Sequence, residues 1–275
     1  MDMPRLPKLP FLSRPPKVAV IRLHGAIGAV RPGASGLSDA GLAPLIERAF
    51  TKGKPAAVAL IINSPGGSPV QSSLIGRRIR HFAEETGLPV HAFVEDVAAS
   101  GGYWLACAAD DIWADEASII GSIGVISAGF GFADLIARYG IERRVHTAGT
   151  SKSTLDPFKP EKPEDVARLE GLLEDIHRGF KAWVTERRGD KLAQDQDLFT
   201  GEFWTGTRAL QSGLIDGVAH PLQKLRELYG EDVKLVPYGQ RRSLLRRFRA
   251  SLSAEAAQAL VSAAEERALW ARFGL

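Results

Sequence analysis

This 275-residue chain has one cysteine, a small net charge and no long apolar run. Its one cysteine, Cys107, excludes an intrachain disulfide and is compatible with a reducing compartment. The 35 Lys and Arg residues stand against 32 Asp and Glu residues, and the resulting net charge of +3 argues against a nucleic-acid binder. No stretch of about 18 apolar residues occurs, so we expect no transmembrane helix, no signal peptide, and a cytoplasmic chain that at most contacts a membrane surface.

The composition divides the chain into a central domain and two appended segments. Residues 1–17 form a basic, proline-broken arm, residues 18–239 the main domain, and residues 240–275 an extension rich in Ala, Arg and Glu. Apolar residues recur in the extension at three- and four-residue spacing from Leu245 to Ala263, which predicts a C-terminal helix. That helix either packs on its own domain or, alternatively, bridges protomers or lies on an anionic membrane.

Short apolar runs alternate with helical patterns through the main domain, which is typical of an α/β architecture built from βαβ units. Strands are predicted at 18–25, 57–63, 90–96, 111–115 and 141–147. Helices are predicted from Ser38, from Val70 to Gly87, after Ser100, and at 130–139, 164–188 and 205–213. The stripe predicted for the first helix is Leu42, Leu45, Ile46, Ala49 and Phe50, and that for the second is Leu74, Ile75, Ile79 and Phe82.

Two glycine-containing turns follow predicted strands and carry the first candidate functional residues. INSPGG puts Gly66 and Gly67 directly after the strand at 57–63, where glycine leaves backbone N–H groups open to an incoming oxygen. ASGGY puts Ser100 at the start of a helix beside the Gly101 N–H, where negative charge is favoured. Each segment alone is also compatible with an ordinary strand-to-helix turn or an N-cap serine. Because the two lie on consecutive βα units, an oxyanion-stabilising site is the better interpretation.

A serine nucleophile needs a general base, and the histidines do not supply an obvious one. The six histidines are His24, His81, His91, His146, His177 and His220. None lies in a recognisable catalytic context, since His91 and His146 fall in predicted strands and His177 in the long helix. Lys152 lies in a polar loop between two serines, where a lysine is most often merely solvated. The residues alone therefore leave the identity of the base open.

An ordered set of motifs resembles the signal peptide peptidase A family of serine proteases, which includes SppA and SohB proteins. The set runs from about residue 18 to residue 236 and consists of INSPGG, ASGGY, GSIGVIS, SKSTLDPF and GEFWTGTRALQSGLIDG. The resemblance implies a Clp protease/crotonase-like fold with a repeated ββα and βαβ core. The roles that it implies are Ser100 as nucleophile, Lys152 as general base, Ser122 as the lysine-orienting residue, and the N–H groups of Gly67 and Gly101 as the oxyanion hole.

The Clp proteases share the glycine turn but place a catalytic histidine about 25 residues after their serine. Here that position is Val125, which favours a lysine base. A lysine that acts as a base must be neutral, and losing its charge near neutral pH requires a closed, apolar cleft. In single-domain members of the family, Ser and Lys of one site come from adjacent protomers of a ring-like assembly. The resemblance therefore implies a homo-oligomer with its sites between protomers.

We therefore expect a serine endopeptidase that hydrolyses signal-peptide remnants or unfolded, membrane-derived peptides through an acyl-enzyme, with no cofactor, metal or nucleic-acid partner. One alternative is a crotonase-like enzyme acting on an acyl-thioester, since that fold also polarises a carbonyl with paired N–H groups. Another is a non-catalytic, peptide-binding oligomeric scaffold. The presence of both Ser100 and Lys152 argues against these two alternatives.

Overall fold

The computed structural model describes residues 15–28, 36–149, 151–239 and 267–275. Its strands are β1 (Lys17–His24), β2 (Ala57–Ser64), β3 (Val90–Ala99), β4 (Asp111–Ala114), β5 (Ile119–Gly121), β6 (Phe203–Thr205), β7 (Gly217–Val218) and β8 (Lys234–Tyr238). Its helices are α1 (Asp39–Thr51), α2 (Pro69–Thr86), α3 (Gly101–Ala106), α4 (Ala133–Arg138), α5 (Pro163–Arg188), α6 (Gly206–Gln211) and α7 (Pro221–Tyr229). None of the helices in these ranges has the length and apolar character needed to cross a membrane.

The predicted terminal segments fall largely outside this description. Residues 1–14 of the basic arm and residues 240–266 of the C-terminal extension lie outside the described residues, and with them the apolar stripe from Leu245 to Ala263. The three-part division of the chain therefore stays a prediction.

All eight strands belong to one sheet, in the order β6-β5-β3-β2-β1-β8, with β4 paired to β3 and β7 paired to β4. Every neighbouring pair is parallel except β5 with β6. Strand β3 divides the sheet, because its first half pairs with β4 and its last three residues pair with β5. The carboxyl ends of β1, β2, β3 and β5 therefore meet at one edge, and the α/β architecture predicted from the sequence is confirmed.

Alternate residues of the central strands pack into two separate cores. On one face Ile21 of β1 and Leu60 of β2 pack with the buried stripes of α1 and α2 and with residues of α5. On the other face Val20 and Ala59 pack under Leu225 of α7. The five buried residues of α1 are the five predicted, and the Ser38 hydroxyl caps this helix.

Two features of the secondary structure correct the sequence-based expectations. The strand predicted at 141–147 is wrong, because this segment is irregular and exposed, and within the described residues it pairs with no strand. Leu74 of the predicted α2 stripe is 44% exposed, whereas the small residues Ser72 and Gly76 face the core. Gly76 lies so close to the rings of Trp183 and Trp104 that an added Cβ would touch both. The small residue at position 76 thus leaves room for both rings.

Candidate active site

The pairing of β3 with β5 places Ser100 beside Ser122. Ala99 lies opposite Gly121, the last residue of β5, so the two serines directly follow paired residues on neighbouring strands. The Ser100 N–H donates to the Gly121 carbonyl oxygen over 2.7 Å, and the Ser122 N–H donates to the Glu202 carbonyl oxygen over 2.7 Å. The predicted nucleophile and the predicted lysine-orienting serine therefore lie together at the carboxyl edge of the sheet.

Both serines have strained backbones. Each has a φ of +52°, in the left-handed region where residues other than glycine are uncommon. Such a conformation costs about 1–3 kcal/mol and persists only where the surrounding structure holds it, which is frequently at functional sites. At Ser100 the ψ of −120° turns the chain sharply from β3 into α3.

The glycine turn after β2 approaches the turn that carries Ser100. A Cβ built on Gly66 would lie 2.9 Å from the Gly101 nitrogen, 2.9 Å from Ser100 Cβ and 2.8 Å from the Ala99 carbonyl oxygen. These distances are shorter than real Cβ contacts, so a side chain at Gly66 would force the two turns apart. Glycine at this position is therefore what allows the two turns to meet.

The two predicted oxyanion donors have their N–H groups available. Ile27 and Gly67 form an isolated parallel bridge, in which the Ile27 N–H donates to the Gly66 carbonyl oxygen and the Ser68 N–H donates to the Ile27 carbonyl oxygen. Both hydrogen bonds of the bridge are formed by the residues on either side of Gly67, so the Gly67 N–H takes no part in it. Gly101 is the first residue of α3, where a backbone N–H has no partner within the helix. Within the described residues, neither N–H donates a hydrogen bond.

Helix α3 is firmly anchored beneath Ser100. All six of its residues are buried, the Tyr103 hydroxyl donates to the Leu214 carbonyl oxygen over 2.7 Å, and the Trp183 indole N–H donates to the Trp104 carbonyl oxygen over 3.0 Å. Complete burial raises the pKa of the Cys107 thiol to about 12, so this cysteine is neutral at physiological pH. A buried, neutral thiol is inert, which leaves Ser100 as the candidate nucleophile of this turn.

Lys152 lies on an exposed segment and forms no hydrogen bond with these residues in the part of the chain that the structure describes. It occupies a turn in which its N–H donates to the Gly149 carbonyl oxygen over 3.3 Å, and its side chain is exposed. In the part of the chain that the structure describes, its ammonium group forms no hydrogen bond or ion pair with Ser100, with Ser122 or with any other residue. One chain thus brings four of the five predicted site residues together and leaves the predicted base outside.

The segment that carries Lys152 also exposes large apolar side chains. Helix α4 buries none of its residues. Five side chains between 49% and 82% exposed define what we call the apolar face: Ile126, Phe130, Leu135, Tyr139 and Ile141. Several large apolar side chains exposed along one short segment often mark a surface that another molecule covers. The apolar face therefore has the character of an interaction surface.

An ion pair and aromatic contacts hold the Lys152 loop against the residues that flank α4 on either side. Arg143 Nε donates to both carboxylate oxygens of Asp156 over 3.0 Å, and the Arg143 guanidinium lies 4.9 Å from the ring centre of Phe158. The hydrogen bonds from Arg143, and after them the one from the Phe158 N–H, lower the pKa of Asp156. The rings of Phe158 and Phe132 lie 5.6 Å apart. Lys152 and the apolar face therefore belong to one connected segment.

Two buried serines that the sequence analysis overlooked contact the glycine turns. Ser64 and Ser72 are both fully buried. A Cβ on Gly102 would overlap the Ser64 carbonyl oxygen, and a Cβ on Gly101 would overlap Ser72 Oγ. The signal in the sequence was the paired glycine after Ser100, since adjacent glycines at a helix start indicate that another backbone approaches closely.

Comparison with known proteins adds an independent observation. Residues 83–230, more than half of the chain, match the model of a family described as peptidase family S49. A protein of Synechocystis sp. named putative protease slr0021 is 31% identical over 200 residues, which covers 73% of this chain and 69% of that protein. The chloroplastic serine protease SPPA of Arabidopsis thaliana is 35% identical over 207 residues, which covers 74% of this chain and 30% of that protein.

A longer protein is also similar to this chain. A Brucella melitensis protein named Na(+)/H(+) antiporter NhaA is 50% identical over 275 residues, covering 94% of this chain. The chain spans only 37% of the length of that relative. The S49 match and the SPPA relative confirm the resemblance to SppA and SohB proteins. The S49 match and the eight-stranded sheet confirm the Clp protease/crotonase-like α/β fold class, and the chain belongs to peptidase family S49.

Proposed function

We propose that this chain is a serine endopeptidase whose catalytic dyad is Ser100 and Lys152. The observation that carries the proposal is the β3–β5 register, which sets a strained Ser100 beside Ser122 and next to two available N–H groups. Membership of a peptidase family gives the reaction class, and the arrangement at the carboxyl edge suits acyl transfer to a serine.

In the proposed mechanism, neutral Lys152 takes the proton from Ser100 Oγ as this oxygen attacks the carbonyl carbon of a peptide bond. The N–H groups of Gly67 and Gly101 donate to the oxyanion that develops, and one such donor is typically worth about 10²–10³ in kcat. Lys152 then gives the proton to the leaving amine, and water hydrolyses the resulting acyl-enzyme. The Ser122 hydroxyl orients the lysine amine by a hydrogen bond.

The proposal includes a homo-oligomer with each site completed at a contact between two copies. Its support is the position of Lys152 on the same exposed segment as the apolar face, away from the other site residues. A second copy that covers this face would remove water from the lysine and favour its neutral form. The substrates we propose are short extended peptides, such as signal-peptide remnants and unfolded or membrane-derived segments.

The test combines substitution, labelling and mixing. Ser100→Ala and Lys152→Ala should each abolish hydrolysis of an unfolded casein substrate, and the double variant should be no worse than either one, because nucleophile and base act as a unit. Lys159→Ala is the matched control, since Lys159 is an exposed lysine of the same loop. A fluorophosphonate probe should label Ser100 in the unsubstituted chain and in the control.

Mixing the two inactive variants tests where the dyad forms. If each site takes its serine and its lysine from different copies, mixed oligomers contain some intact sites and regain part of the activity. A Lys152→Ala chain with near-normal turnover would remove the lysine from the mechanism. An unlabelled Ser100 in the unsubstituted chain would remove the serine peptidase proposal itself.

A further inference from the structure

Ser64 is the last residue of β2, and its hydroxyl group connects this strand to the backbone at Gly25 and at Gly66. Its Oγ donates to the Gly25 carbonyl oxygen over 2.7 Å and accepts from the Gly66 N–H over 3.3 Å. The residue is fully buried, so water cannot replace these bonds. We infer that Ser64 is a positioning residue for the oxyanion turn, an inference that rests on the proposed function.

The geometry of the peptide bond explains how Ser64 acts on a donor that it does not touch. The Gly66 carbonyl and the Gly67 N–H belong to the same planar, trans peptide group and point in opposite directions. The Ile27 N–H holds that carbonyl oxygen at 2.8 Å and thereby sets the plane of the donor group. Ser64 holds the preceding peptide plane through the Gly66 N–H. The two bonds together fix both dihedral angles of Gly66.

External fixing matters here because Gly66 has a φ of +100° and no side chain of its own. Glycine has the largest conformational freedom of any residue, so its dihedral angles are set by whatever binds its two peptide groups. If the Ser64 hydroxyl is lost, Ile27 still holds the Gly66 carbonyl oxygen and the Ser68 N–H. The peptide plane before Gly66 then has no bond of its own, so the turn that carries the Gly67 N–H becomes less rigid. The donor would then point at the developing oxyanion for only part of the time.

Ser64 also contacts the turn that carries the nucleophile. A Cβ built on Gly102 would overlap the Ser64 carbonyl oxygen and would lie 3.2 Å from Ser64 Cβ. The backbone of α3 therefore rests directly on Ser64, one residue after Gly101. Since Ser64 contacts Gly66 and Gly102, the neighbours of the two proposed oxyanion donors, it can influence their separation as well as the direction of the Gly67 N–H.

The test is Ser64→Ala, compared with Ser64→Thr and with Ser212→Ala as matched control. Ser212 is also a buried serine whose hydroxyl donates to a backbone carbonyl oxygen, that of Ala209, in the helix α6 region. Ser64→Ala should lower kcat about 10- to 100-fold while KM stays within about twofold, because a misplaced donor stabilises the transition state less and leaves substrate binding unchanged. Ser64→Thr keeps the hydroxyl and should recover much of kcat. Ser212→Ala should lower stability only.

Hydrogen–deuterium exchange supplies a readout that does not depend on turnover. Amides of residues 61–68 should exchange at least severalfold faster in Ser64→Ala than in the unsubstituted chain, and those of α5 should be unchanged. Equal kcat values for Ser64→Ala and Ser212→Ala in an active peptidase would overturn the inference, as would unchanged exchange in 61–68. If the unsubstituted chain neither hydrolyses peptides nor labels at Ser100, the proposed function fails, and the exchange comparison alone then decides whether Ser64 holds the turn.

Discussion

The close approach of Gly66 to the turn that carries Ser100 predicts the effect of a single methyl group. In Gly66→Ala the new Cβ would lie 2.8–2.9 Å from three atoms of residues 99–101, about 0.5 Å short of ordinary contact at 3.4 Å. Two of these atoms are backbone atoms, which cannot rotate away, so the turns must separate by about that amount. Overpacking of this kind costs about 1–3 kcal/mol, and the φ of +100° adds about 1–3 kcal/mol for a residue with a side chain.

A separation of about 0.5 Å between the turns also moves the proposed oxyanion donors relative to Ser100, and active-site groups tolerate little more than this. We therefore expect kcat/KM for peptide hydrolysis to fall about 10- to 100-fold in Gly66→Ala. Gly87→Ala is the matched control, because Gly87 has a φ of +65° and open space where its Cβ would be. It should lose about 1 kcal/mol of unfolding free energy in a urea titration and keep its activity.

The comparison of the two variants distinguishes the effect of backbone strain at a positive φ from the effect of steric contact with the Ser100 turn. Both place alanine at a positive φ, and only Gly66→Ala has its Cβ against the Ser100 turn. The reasoning is refuted if Gly66→Ala and Gly87→Ala hydrolyse peptides within about twofold of each other, since the backbone atoms around Gly66 would then yield without moving the donors.

Two further predictions concern a contact at the site and an ion pair between α1 and α2. Gly101→Ala should lose activity because its Cβ overlaps Ser72 Oγ, and adding Ser72→Ala to this variant should restore part of the activity. A double-mutant cycle on kcat/KM should therefore show favourable coupling, and additive losses would contradict the overlap. Asp39 accepts hydrogen bonds from Arg78 Nε over 2.6 Å and from Arg78 Nη2 over 2.7 Å, and these bonds lower the pKa of Asp39. The unsubstituted chain should therefore exceed Asp39→Asn in unfolding free energy by about 1 kcal/mol at pH 7. That advantage should decline as the pH falls below the ordinary carboxyl pKa of about 3.9 and disappear below the folded-state pKa; a constant difference from pH 7 to pH 3 would contradict it.

Elements determined by local chemistry were predictable from the sequence. Ser38 as a cap and a stripe of five apolar residues at helical spacing identified α1 and its buried face. Gly87 marked the end of α2, where it takes the left-handed conformation. These signals lie within a few residues of the feature that they specify, so tertiary contacts were not needed to interpret them.

Elements determined by distant contacts were not predictable. Strands β5 and β6 have three residues each, which is too short to show a periodic pattern. The pairing of Ala99 with Gly121, which puts Ser100 beside Ser122, is a contact between strands and has no local signature. The serine and glycine motifs and the family resemblance did identify Ser100 and Ser122 as candidates. Their proximity is a property of the sheet.

The site thus divides into two parts with different physical requirements. Ser100 and its proposed oxyanion donors need placement to a fraction of an ångström, which three parallel strands and fully buried neighbours such as Ser64 supply within one chain. A lysine base needs removal of water, and Lys152 lies on an exposed segment beside the apolar face. Under the proposed function, folding builds the first part and covering of the apolar face completes the second. Assembly would then control when the serine is deprotonated, because a lysine amine serves as a base only where water has been removed from around it.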